Sequence, residues 1–378
     1  MTGDRMGSAI QEVGYIMASK AKSAAVVSCL TGVLLVFAGC GGTRDPVGER
    51  VYELTLHHHD PATASQGMFF DELAAEAIRR SNGRLKISVF HGAQLGSARD
   101  TVDMVLNGTC DIGGGLPSSF PGVFPMTEAL TLPLIGVESS AQATEALWEL
   151  FTTTDYLKDE YSEFKVLLLI GMNYSSIATT AKKITSVDQL KGMKLRANSG
   201  PPTDFVIEAG ATPVSIMVGE LYSSLERSVI DGVITDWNAF NAFKLYDRLN
   251  YILDERVTVN PYFVLMNRKN YEALPGDLRA ILDELTQTPE ARASFAARYD
   301  RITDEMKKRL KERGSEIYNL SAEQRARLKE IADAANARWV KKKAAGGYPA
   351  QKVMERIVEL LDKHRGRGSG SGEDGNGE

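Results

Sequence analysis

Between Ser186 and Phe240 the chain switches its periodicity repeatedly, and this alternation restricts the fold more than any other stretch. Ser186 followed three residues later by Gln189 is a capping-box signature, and Gly192 closes the short turn. Met193-Lys194-Leu195-Arg196-Ala197 alternates apolar and basic residues with period two, the pattern of a strand. Pro201-Pro202 open a helix with Phe205, Val206 and Ile207 on its apolar side, and Gly210 stops it. Pro213 to Ile216 reads as a second short strand. Leu221, Leu225 and Val229 then follow at helical spacing, and Val229 to Ile234 reads as a third strand with a turn at Gly232. Strand, helix, strand, helix, strand is an α/β unit, and such units hold ligands off the carboxyl ends of their strands. Arg196 ends the first strand, and the third runs out into Thr235-Asp236-Trp237.

Composition narrows the partners. The chain has 378 residues, enough for two domains, with 43% hydrophobic and 25% charged residues. A formal net charge of -5 argues against nucleic acid, while leaving room for a locally basic cleft that takes an anion. No nucleophile elbow, HExxH or dinucleotide fingerprint occurs, so the sequence points to neither an enzyme nor a cofactor.

Three blocks carry a family resemblance. LKGMKLR (Leu190 to Arg196), GATPVSI (Gly210 to Ile216) and ELYSSLERSVIDG (Glu220 to Gly232) stand in the order and spacing of the central segment of substrate-binding proteins of tripartite ATP-independent periplasmic (TRAP) transporters. The chain resembles that family over roughly residues 50 to 345. The resemblance implies an α/β fold of the two-lobe periplasmic-binding-protein type, with a central ligand cleft and a long C-terminal helix bracing both lobes. It implies an extracytoplasmic solute receptor that captures a small organic acid and passes it to separate integral-membrane transporter subunits. It also implies that Arg196 grips the ligand carboxylate through a two-pronged salt bridge.

Many family members follow the Asp-Gly turn with Gln-Glu-Asn, whose Asn touches the ligand; here Val233-Ile234-Thr235 and then Asp236-Trp237 stand instead. The second polar contact therefore does not carry over directly, and Thr235 or Asp236 is the candidate to meet a ligand hydroxyl. Trp237 either lays its indole on the ligand body or packs into the lobe core. In the first case Phe120, Tyr262 and Phe263 complete an aromatic wall, which favours a ring-bearing or branched monocarboxylate over a small dicarboxylate. The expected lobes are 51–172 with 258–298, and 173–257 with 299–364; residues 365–378 read as a disordered low-complexity tail.

The N-terminus reads as export machinery. Lys20 and Lys22 precede the apolar run Ala24 to Ala38, too short to span a bilayer comfortably, and Ala38-Gly39-Cys40 resembles a bacterial lipobox. Residues 1–39 are then a signal peptide, Cys40 takes the lipid, and 40–50 form a tether to the membrane; a plain secretory signal cut nearby is the other reading. A lipid-anchored sensor feeding a signalling receptor is the alternative to a transport receptor, since the two would bind ligand alike.

Smaller motifs complete the chain. His57-His58-His59-Asp60 follows a first strand, Tyr52 to His57; neighbouring histidines on a strand point to opposite faces, so they do not all grip one metal. The resemblance implies that one imidazole or backbone amide after that strand, with His59 the candidate, lines the cleft as the family's first loop does. Gly92-Ala93-Gln94-Leu95-Gly96 reads as a turn, Cys110 as a small buried residue, and Leu116 to Pro125 as a rigid cleft-wall loop. Lys165 to Gly171 reads as a strand buried on both faces. Asn173, where the resembled family crosses between lobes, is either a cleft residue or a turn cap. Tyr251 to Leu253 and Pro261 to Asn267 read as separate strands, and Pro289 to Lys343 as nearly continuous helix.

Overall fold

The computed structural model describes residues 50–366, so the expected signal peptide, Cys40 and most of the C-terminal tail lie outside the described residues. In chain order the strands are β1 (Tyr52–His57), β2 (Leu85–Phe90), β3 (Ile112–Gly115), β4 (Phe164–Thr179), β5 (Lys194–Arg196), β6 (Thr212–Val214), β7 (Gly232–Asp236), β8 (Tyr251–Asn267) and β9 (Glu316–Tyr318). The helices are α1 (Ser65–Arg80), α2 (Thr101–Asn107), α3 (Ser140–Thr153), α4 (Pro201–Glu208), α5 (Leu221–Glu226), α6 (Trp237–Ala242), α7 (Arg268–Ala273), α8 (Gly276–Thr286), α9 (Pro289–Glu312), α10 (Ala322–Ala345) and α11 (Ala350–Lys363).

Two long antiparallel strands organise the sheet. β4 and β8 pair along almost their whole length, from Phe164↔Asn267 to Thr179↔Tyr251. At one end β8 takes β3 on its other edge, and β1 and β2 continue the sheet in parallel. At the other end β4 pairs with β7, followed in parallel by β5 and β6, while β9 joins β8. Each long strand therefore serves two half-sheets. In both halves the parallel strands are the mark of βαβ crossovers, with helices on the faces.

The expectation of separate strands at Tyr251–Leu253 and Pro261–Asn267 is corrected here, because β8 runs unbroken through both. β4 likewise continues past Gly171 to Thr179. Pro261 has no N–H to give the ladder, and it sits opposite Gly171 where the pairing slips between Gly171 and Tyr174. Such an irregularity accommodates a proline inside a sheet. Further slips lie at Val166/Leu168 and Ser175/Ile177.

Four clusters of buried side chains cover the faces. One half-sheet is packed by Phe70, Leu73, Tyr262, Phe295 and Tyr299 on one side and by Phe124, Leu147, Phe263 and Ile357 on the other. The second half carries Val206, Leu328 and Ala332 on one face and Trp237, Phe240, Met306 and Leu310 on the other. α9 contributes to both halves, Phe295 and Tyr299 to the first and Met306 and Leu310 to the second. At 24 residues it is roughly 36 Å long. It braces both halves, but the helical run expected from Pro289 to Lys343 is broken after Glu312. Gly314 takes φ +84, and the chain spends Glu316 to Tyr318 as β9 before α10 begins. α11, expected with the second lobe, packs Val353, Ile357 and Leu360 into the core of the first half.

Candidate functional site

The first strand of the central unit stops at Arg196 because the chain turns through Asn198 and Gly200 (φ +89) into α4. Pairing in register places Arg196 beside Val233 of β7 and Val214 of β6. The carboxyl ends of these strands face those of β1 and β3 across a cavity of about 340 Å³. One wall is His59, Ala98, Arg99, Leu116, Ser118, Ser119 and Pro121; the other is Arg196 to Ser199 with Ser215 to Val218. The location is the one α/β sheets favour for ligands.

Arg196 is the chemical centre of this cavity. It is only 7% exposed, and its Nε–H donates to the Ile216 carbonyl at 3.1 Å. Among the described residues no carboxylate pairs with it. Burial pulls its pKa from 12.5 to about 10, and the nearby Asp236 charge pushes the other way, so the guanidinium stays charged at neutral pH. A buried cation without an anion is costly, and a guanidinium matches a carboxylate with two parallel hydrogen bonds. Arg99, exposed at the rim, adds a second cation at the mouth and favours the approach of an anion.

Of the residues expected in the site, Arg196 and His59 line this cavity, and seven do not. Trp237 is fully buried, stacked on Phe240 at 5.3 Å between ring centroids and edge-on to Tyr174. The correction has a local cause: β7 ends at Asp236, whose Oδ1 accepts from the Ala239 N–H at 3.0 Å and caps α6. The chain thus turns helical at Trp237 and rolls the indole into the lobe core, as large aromatics mostly go. Thr235, 2% exposed, stays inside β7.

Asp236 is buried and lies close enough to Arg196 to interact with its charge. Burial, with the Asp60 charge beyond it, raises its pKa to about 6 against the pull of the Ala239 N–H and Arg196. Asn173 does not line this cavity; its Nδ2 donates to the Tyr299 carbonyl and the Thr303 hydroxyl, at 3.3 and 3.0 Å, tying β4 to α9. Phe120 and Phe263 pack on one another and on Phe124 in the first half's core. Tyr262 is buried on the opposite face of β8. The expected aromatic wall is therefore absent from the cavity, since alternation along β8 sends Tyr262 and Phe263 into two different cores. The loop Leu116 to Pro125 does line the cleft, through Leu116, Ser118, Ser119 and Pro121 rather than through its aromatics.

Sequence reasoning missed Arg99, Asn198, Ser215 and the Ile216 carbonyl. All stand just after a strand or just before a helix, a signal the strand-end rule gives once the strand ends are known. Asn198 donates to Asn260 of β8 at 2.8 Å, tying the cavity wall to the long strands. The histidine run divides as its alternation requires. His57 is buried on one side with neither ring nitrogen bonded, and burial, then His58 and His59, push its pKa down to about 4. His58 hydrogen-bonds His91 at 2.8 Å, and His91 reaches Asp71 at 3.0 Å. Among the described residues no three His, Cys, Asp or Glu side chains are arranged to hold a metal ion.

Two half-sheets joined by shared strands, with a buried unpaired cation in the cleft between them, define a solute-binding protein of the two-lobe type. The family of bacterial extracellular solute-binding proteins, family 7, matches residues 56–343. The chain belongs to that family, whose members are extracytoplasmic solute-binding proteins of TRAP transporters and work with membrane transporter subunits. The 2,3-diketo-L-gulonate-binding periplasmic protein YiaO of Escherichia coli K12 is 24% identical over 56% of this chain and 64% of its own length. The sialic acid-binding periplasmic protein SiaP of Vibrio cholerae is 23% identical over 57% and 67%. Among solved structures, a TRAP solute-binding protein from an unidentified marine microbe is described as specific for aromatic acid ligands and holds metahydroxyphenylacetate. It superposes with a TM-score of 0.77 at 26% identity, covering 83% of this chain and 99% of that one. A Rhodoferax ferrireducens TRAP protein with copurified benzoate shares the fold, with a TM-score of 0.78 at 22% identity over 83% and 98%.

Proposed function

We propose that this protein captures a small organic acid in the cleft between its lobes and delivers it to the separate membrane subunits of a TRAP transporter. The ligand carboxylate sits on Arg196, and a lipid on Cys40 holds the protein at the membrane. The observation that carries the reading is the buried Arg196 guanidinium, facing a cavity of about 340 Å³ without a protein carboxylate. That volume suits a small acid. A ring-bearing monocarboxylate is the favoured ligand, supported now by the aromatic acid in the 26%-identical neighbour rather than by Trp237.

Thermal-shift screening of organic acids on the purified protein selects the ligand, because tight binding to the native state raises the melting temperature. Calorimetry then tests the contact. Arg196→Lys keeps the charge and loses the fork, so affinity falls roughly tenfold or more, about 1.4 kcal/mol. An unchanged Kd sinks the assignment. The anchor is tested apart: metabolic labelling with a fatty acid marks the wild type and not Cys40→Ala, and a labelled mutant overturns it.

A further inference from the structure

We infer that the protein takes up a proton together with its carboxylate ligand, and that the imidazole of His59 is the group that takes it. The inference rests on the proposed anion site at Arg196 and adds a second, smaller ligand to it. His59 and Arg196 line the same cavity, from its two opposite walls. The His59 side chain is only 8% exposed, and its Nδ1 is buried with no hydrogen-bond partner among the described residues. Its Nε2 stands 3.8 Å from Asp60 Oδ1, beyond hydrogen-bonding reach. Buried polar groups are nearly always bonded, so a ring nitrogen left open at a ligand cavity marks a group held for something that arrives.

The neighbours of the ring make its charge depend on the ligand. Asp60, next in the chain, is 3% exposed, and its Oδ2 accepts no hydrogen bond among the described residues. His58 is engaged elsewhere: its Nε2 meets His91 Nδ1 at 2.8 Å, and its Nδ1 stays 3.9 Å from Asp60. Burial pushes the His58 pKa down and holds His57 at about 4, so neither ring is a cation at neutral pH. His59 is then the one imidazole of the run free to answer the Asp60 charge. Arg99 and Arg196 line the same cavity, and their guanidinium charges oppose a proton on His59. Further out, Asp236 acts on Arg196 and Asp100 on His57.

An arriving carboxylate tips this balance. In the empty cleft one buried anion draws a proton to His59 while two guanidinium charges resist it. The ligand cancels the charge of Arg196 and brings a second anion into the cavity, so both changes favour the imidazolium. Excluding water from the occupied cavity strengthens each of these interactions. An imidazole changes its charge within the physiological range, so a modest change of field is enough to alter its proton occupancy there. The proton comes from solvent, and the bound state carries one more positive charge. The state that holds more protons gains as pH falls, so affinity should rise on going from pH 8 to pH 7.

Calorimetry in buffers of different ionisation enthalpy, phosphate against Tris at pH 7.5, counts the protons taken up. The probes are benzoate, 3-hydroxyphenylacetate and pyroglutamate, all fully ionised at that pH. About half a proton or more per ligand is expected, with Kd rising about threefold between pH 7 and pH 8. His59→Gln keeps a polar side chain that does not titrate, so the uptake should vanish and Kd should stop following pH. Asp236 titrates nearby as well, so Asp236→Asn, which keeps a capping side chain for α6, is the control and should leave the uptake unchanged. Histidine-labelled NMR of the wild type needs no variant: one ring should move to imidazolium shifts as a probe saturates the cleft. Binding without proton uptake, uptake that survives in His59→Gln, uptake lost in Asp236→Asn, or no ring moving overturns the inference and leaves the anion site at Arg196 standing. No binding of any probe overturns the anion site itself, and the inference falls with it.

Discussion

At the scale of single residues, burial decides what each ionisable group can do. Arg196 and Glu160 show the two directions. Glu160 accepts from the Met126 and Thr127 N–H groups and from the Thr127 hydroxyl, yet burial still outweighs these bonds and raises its pKa from 4.5 to about 7. The native state thus holds a proton that the unfolded chain releases. The stability this contributes is complete below about pH 4.5 and is lost as pH rises through about 7. Glu160→Gln keeps an acceptor and carries no charge, so it should flatten the fall of melting temperature across that window. At pH 7 the gain should be about 1 kcal/mol in a urea melt; an unaltered pH profile refutes the account. Arg196 was legible in the sequence because alternation marked its strand and the family resemblance marked the arginine at its end. Trp237 was not. Its place depended on whether the chain stayed extended after Thr235, and Asp236 as a helix cap, a signature present in Asp236-Trp237-Asn238-Ala239, settles that against the cleft.

At the scale of elements, the short βαβ pieces were readable and the long strands were not. The capping box at Ser186 and Gln189 is formed, α4 opens on Pro201-Pro202, and Gly192 and Gly210 take positive φ. These are local devices, and local sequence dictates them. β8 was misread because Pro261 normally forbids a central strand, and only the facing irregularity of β4 permits it. The same place explains why Gly171 is glycine: a Cβ there would stand 2.3 Å from the Ala143 Cβ and 3.0 Å from the backbone of α3. Ser140 and Thr144 of α3 also donate their hydroxyls to the Gly171 carbonyl. Gly171→Ala should wedge α3 off β4 and cost about 2 kcal/mol in a urea melt. A change under a few tenths of a kcal/mol means the layer gives more easily than its packing suggests.

At the scale of the whole molecule, the two halves touch through a clasp as well as through shared strands. Asn238 at the start of α6 accepts from the Ser65 N–H at 3.3 Å and donates to the Gln66 side chain at 3.1 Å, both at the start of α1. Two hydrogen bonds of about 1 kcal/mol net each tie α6 of one half to α1 of the other. Asn238→Ala should raise the radius of gyration of the ligand-free protein in X-ray scattering and weaken ligand binding about tenfold. If neither changes, the clasp is incidental. None of this was readable beforehand, since a contact across more than 170 positions leaves no local trace. The shared strands also matter before the protein is finished. β3 ends at Gly115, but its neighbour in the sheet starts at Tyr251, so more than a hundred residues must leave the ribosome before that edge is covered. At ordinary rates of synthesis this interval is on the order of ten seconds. Throughout it the growing chain presents an unsealed sheet edge, an invitation to pair with another copy. A cut anywhere between Gly115 and Tyr251 parts β3 from the strand that covers its edge, so the two pieces are not expected to fold alone.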